Sequence, residues 1–146
     1  MRTCRTLHLL FKTLVHIKMS IKIKVLQEFK SHLVDFFDAL IIQFPSNSDL
    51  CMLRIFFNNQ IDIVKVMDVF IEKLLPLKDI VKKRDCSFFL GDGAGASSLF
   101  EGVDKSKVNY FKVLWQSESL DEDDRAEIWK WFDLFIHIAD KYCKID

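Results

Sequence analysis

Asp133, His137 and Asp140 stand at i, i+4 and i+7. On a helix that spacing puts two carboxylates and an imidazole on one face, a donor set suited to a divalent metal. Lys130, Lys141 and Lys144 share the stripe, and no H-E-x-x-H or related motif adds ligands from another helix. A solvated, salt-bridged face is therefore the stronger expectation. Gly91, Gly93 and Gly95 alternate as in a phosphate-binding loop. Such a loop needs a strand before it, a helix N-terminus after it and, in the nucleotide-hydrolase form, a Lys-Ser/Thr pair. Those parts do not occur in order, so an interhelix linker is expected and no cofactor is assigned. Cys51 and Cys86 lie among apolar residues, where a thiol is inert. His32 is near Asp35 but has no serine or cysteine in sequence context, so no catalytic residue is assigned and the expected role is non-enzymatic. Two features remain as contact candidates. Lys82, Lys83 and Arg84 form a basic turn able to touch phosphate, and Trp129 and Trp131 are large amphipathic anchors of the kind that dominate binding interfaces.

The element that must position much of this is SLDEDDRAEIWKWFDLFIHIADKYC, residues 119–143. At about 100° per residue, Lys130, Asp133, His137, Asp140, Lys141 and Lys144 fill a polar stripe about 100° wide. Ile128, Trp129, Trp131, Phe132, Leu134, Phe135, Ile136, Ile138, Ala139 and Tyr142 fill an apolar arc of about 220°. So wide an arc has to be enclosed by several neighbours, which makes this the expected central helix of a bundle. Ser119 and Glu122 have capping-box spacing. The acidic run Asp121–Asp124 then fits the positive end of the helix dipole better than it fits a metal site.

Other helices follow by the same periodicity. Residues 23–44 carry Val25, Leu26, Phe29, Leu33, Phe36, Phe37, Leu40, Ile41 and Phe44 at three- and four-residue steps, and Pro45 closes the helix. A short helix is expected over 49–58, capped by Ser46 or Ser48. A third is expected over 61–75 before Pro76, a fourth over 77–90, and a shorter fifth capped by Asp104. Residues 91–98, GDGAGASS, read as the flexible linker. Residues 1–18, MRTCRTLHLLFKTLVHIK, are basic, weakly amphipathic and free of acids. A mitochondrial-type presequence, a basic interfacial helix or a natural start at Met19 would each explain them. The start at Met19 is favoured, because the well-patterned chain begins there. Residues 1–18 are thus expected outside the core, as a disordered or untranslated extension of a helical domain over 19–146.

At 146 residues the chain is long enough for one domain with a real core. Fourteen phenylalanines against four glycines and two prolines argue for a compact helical globule. Zero net formal charge gives no global case for nucleic acid. Cys4, Cys51, Cys86 and Cys143 form no C-x-x-C, so zinc ribbons and disulfide miniproteins are excluded and buried free thiols in a reducing compartment are expected. No apolar run approaches the ~20 residues of a membrane span.

FFDALIIQFPSNSDLCMLRIFFNNQI, IVKVMDVFIEKLLPLK, KKRDCSFFL, KVNYFKVLW and SLDEDDRAEIWKWFDLFIHIADKY together resemble an uncharacterised family of small helical proteins. That family is encoded by large nucleocytoplasmic DNA viruses of algae and protists, giant viruses among them. The resemblance runs from about Ile21 to Tyr142 and rests on the phenylalanine-rich first helix, the F-P-x-x-x-D-L turn and the D-x-x-x-IWKWF-x-x-F motif. It does not cover residues 1–18. It implies a viral protein with no assigned catalytic residues, in the infected-cell cytoplasm or the virion. The expected fold is an all-α single bundle of five or six helices. The expected role is a protein-interaction or structural module with a viral or host protein partner. The alternative is a nucleic-acid-associated accessory protein using the basic N-terminal segment and Lys82–Arg84.

Overall fold

The computed structural model describes residues 2–91, 95–100 and 110–145. Among them every regular element is helical. In order these are α1 (Arg2–Gln43), α2 (Ser48–Ile55), α3 (Ile63–Lys73), α4 (Lys78–Lys82), α5 (Ser87–Leu90), α6 (Ala96–Leu99), α7 (Tyr110–Trp115) and α8 (Glu122–Cys143). A π-helical turn, Phe56–Gln60, prolongs α2, and a 3-10 turn, Leu75–Leu77, takes up Pro76. The all-α bundle expected from periodicity is the fold.

α8 lies at its centre. Ile128, Trp129, Phe132, Phe135, Ile138 and Ala139 are buried along it. It packs on α1, α3 and α4, and its rings also meet α5 and α7: Phe88 and Phe89 lie against Phe132, and Trp115 against Trp129. The C-terminal half of α1 shares the centre, with Phe29, Leu33, Phe36 and Phe37 fully enclosed. Phe36 touches Trp131, Phe132 and Phe135 edge-on or tilted at 5.5–5.8 Å between ring centroids. Edge-to-face geometry sets the positive ring edge against the negative face. The many phenylalanines thus form a ring lattice rather than a uniform oil drop.

Several boundaries move from their expected places, each for a local reason. The start of α8 is Asp121, not Ser119: its side chain accepts from Asp124 N–H at 2.8 Å while Asp124 accepts from Asp121 N–H at 3.1 Å. The reciprocal pair expected of Ser119 and Glu122 forms two residues later, because Leu120 is drawn into the core and Ser117 C=O turns the chain by accepting its N–H. Asn47, rather than Ser46 or Ser48, caps α2, its Oδ1 accepting from Asp49 N–H at 3.0 Å. Asp62 caps α3 in the same way. The helix expected over 77–90 is two pieces. α4 closes in a Schellman motif, with Asp85 N–H donating to Ile80 C=O and Arg84 N–H donating to Val81 C=O. Arg84 takes the left-handed position at φ 55°.

The glycine-rich run is no loose linker where it is described. Gly95, Ala96, Ser97, Leu99 and Phe100 are buried. Gly95 sits at φ 76°, and a Cβ there would lie 2.2 Å from Phe88 C=O, so only glycine admits the approach. Asp104 and residues 92–94 lie outside the described residues. The buried thiols expected from composition are corrected: Cys51, Cys86 and Cys143 are free and exposed, on outer helix faces and in the α4–α5 turn.

α1 is the largest departure. It begins at Arg2, not near residue 23, and runs unbroken for 42 residues, about 63 Å. Core contact begins at Val25. From residue 5 to residue 24 every residue but Lys22 is exposed, and the Lys22 ammonium lies over the Tyr142 ring at 5.5 Å.

Candidate interaction surfaces

The basic turn is held by α8. Arg84 Nη1 donates to Asp133 Oδ1 at 2.7 Å and Arg84 Nη2 to Asp133 Oδ2 at 2.6 Å, a two-pronged pair. The same guanidinium stands 5.6 Å from the Trp129 ring centroid and donates to Val81 C=O. The hydrogen bond to Asp133 raises the Arg84 pKa above its ordinary value, against a smaller opposing effect of desolvation. The left-handed backbone at Arg84 is what aims the side chain back at α8. Of the expected phosphate-contacting trio, Arg84 is therefore engaged within the fold, while Lys82 and Lys83 are exposed. Trp129 is 5 % exposed, set among Phe88, Phe89 and Trp115, so it is a core ring and not a docking anchor.

The carboxylate–imidazole stripe resolves the same way. Asp133 binds Arg84, and Asp140 accepts from Lys144 at 2.8 Å. That hydrogen bond holds the Asp140 carboxyl below its ordinary range and raises the Lys144 ammonium above its own. Among the described residues no cluster of three His, Cys, Asp or Glu side chains is placed to hold a metal. His32 is half-buried and Asp35 exposed on α1. Other pairs fasten elements: Arg54 of α2 to Asp38 of α1, and Lys141 of α8 to Glu28 of α1 at 3.8 Å.

Two apolar surfaces stand open among the described residues. One is a pocket of about 280 Å³ where α1 meets the start of α8, floored by Phe36, Leu40, Ile128 and Trp131 and rimmed by Asp124 and Glu127. Trp131, half-buried, presents part of its indole there. The other is the free end of α1. Leu7, Leu10, Phe11, Leu14, Ile17 and Ile21 are 42–65 % exposed. At about 100° per residue Lys18 and Lys24 lie beside this row and Arg5 and Lys12 on the opposite face, all four exposed. Leu7, Leu10, Leu14, Ile17 and Ile21 follow steps of three and four, so they line one stripe. That spacing is a signal the sequence already carried. The basic residues, and Leu9, Phe11, Val15, Met19 and Ile23 exposed on the rest of the circumference, obscure it.

No family model, no curated protein and no solved structure matches the chain.

Proposed function

We propose that the protein is a non-enzymatic interaction or structural module that acts through helix surfaces, with the free end of α1 as its contact element. The carrying observation is the row of large apolar side chains left open along about 24 Å of that helix, beside a body that buries most of its aromatic rings. Three of the charged pairs that could do chemistry are engaged within the fold: Arg84 with Asp133, Asp140 with Lys144, Arg54 with Asp38. The resemblance of Ile21 to Tyr142 supports a place in the infection cycle of a large nucleocytoplasmic DNA virus, and the three exposed free thiols suit a reducing compartment. The nucleic-acid reading has less behind it, because Arg84 is turned inward to Asp133 and the α1 stripe is apolar.

The test compares the full chain with Leu10→Asp/Leu14→Asp as baits in affinity capture from infected cells. Partners retained by the first and lost by the second, at matching melting temperatures, are the expected result. Identical captures together with equal recovery in the membrane fraction would remove α1 from the proposal, and turnover of a substrate by the purified chain would end the non-enzymatic reading.

A further inference from the structure

We infer that the free end of α1 lies on an anionic lipid surface, with its apolar stripe in the headgroup–acyl boundary and Lys18 and Lys24 on the phosphates. This rests on the proposed role of α1 as the contact element and names its occupant. The stripe of Leu7, Leu10, Leu14, Ile17 and Ile21 is not the outward continuation of the core face. At about 100° per residue its axis is turned about 100° from the line through Phe29, Leu33, Phe36 and Leu40. A longer bundle would leave it uncovered.

Charge selects the occupant. Residues 1–27 hold six of the chain's 21 Lys and Arg and none of its 21 Asp and Glu, so the rest of the chain is net negative by six. A second copy laid alongside in parallel would set six positive charges against six. The acidic-rimmed pocket of another copy, about 280 Å³, is far too small for a helix face about 21 Å long. A nucleic acid would answer the charge and leave the leucines in water. An anionic bilayer surface answers both along the stripe, since apolar burial and phosphate attraction act together there, while Leu9, Phe11, Val15, Met19 and Ile23 stay on the remaining faces. Lys18 and Lys24 flank the stripe on either side, and their long stems can reach up to the headgroups while the leucines go down. The helix would lie on the surface: among the described residues no helix is long and apolar enough to cross a membrane.

Flotation of the full chain with vesicles of phosphatidylcholine, and of phosphatidylcholine with phosphatidylserine, tests this. Binding to the anionic vesicles should exceed binding to the neutral ones by at least about tenfold and weaken as salt rises. Leu10→Gln/Leu14→Gln/Ile17→Gln and Lys18→Glu/Lys24→Glu should each lower it by about tenfold or more at an unchanged melting temperature. Equal binding to both vesicles, or to neither, overturns the lipid assignment, as does self-association or DNA binding that the triple glutamine variant abolishes in place of flotation. If flotation fails but a captured protein is still lost with the Leu10/Leu14 variant, the contact role of α1 stands and only its occupant is wrong. If both fail, the contact role falls with it.

Discussion

Arg84 carries two opposed effects. A non-glycine residue in the left-handed region is unfavourable by about 1–2 kcal/mol, and its bond to Asp133 is screened, the two side chains being 41 % and 45 % exposed. Arg84→Gly and Arg84→Ala lose the same pair, so their difference isolates the backbone. The glycine variant should be more stable in urea by about 1 kcal/mol, and equal midpoints would show that position 84 is not left-handed. Asp140 supplies a pH signature. Its folded pKa is depressed by Lys144, so its stabilisation is fully present above about pH 4 and disappears as pH falls through the lower folded value. The melting-temperature gap between the natural chain and Asp140→Asn should close in acid. A gap that persists there would assign the effect to something other than the charge.

At the scale of elements, α8 depends on its rings and on its cap. Phe135 is fully enclosed and touches Phe29, Phe36 and Phe70. Phe135→Ala should lower stability by about 3–5 kcal/mol through the cavity it leaves. Trp131 sits on the same helix with part of its indole in the pocket wall, so Trp131→Ala should cost less, about 2 kcal/mol. Equal losses in calorimetry would mean that the indole is enclosed too. For the cap, Asp121→Ala should cost about 1 kcal/mol and Ser119→Ala close to nothing. The reverse order in chemical denaturation would restore Ser119 as the cap. Sequence spacing located the acidic start of α8 to within two residues. It could not choose between two overlapping boxes, because the choice follows from Leu120 being drawn into the core.

The whole molecule is a folded body with a rod standing from it. Residues 5–18 are exposed, so removing residues 1–18 should leave the melting temperature nearly unchanged while abolishing whatever binding α1 provides. A large drop in melting temperature would mean that the segment is packed against the body. The uneven charge, six positive on the rod and six negative on the remainder, gives the molecule a polarity that would orient it at a charged surface.

What the residues determine alone is periodic and local. The apolar arcs of α1 beyond residue 25 and of α8, the dipole-matched acidic start of α8, and the polar stripe through Lys130, Asp133 and His137 all follow from side-chain type at helical spacing. What tertiary structure decided is non-local. Trp129 is enclosed because α5 and α7 close over it, and Arg84 is turned from phosphate chemistry by a carboxylate 49 residues away. The described end of the glycine run, residues 95–97, is core because Gly95 meets Phe88. Residues 5–24 extend an existing helix: once the core has nucleated α1, each added residue needs only propagation, so a weakly patterned segment continues outward with its leucines uncovered.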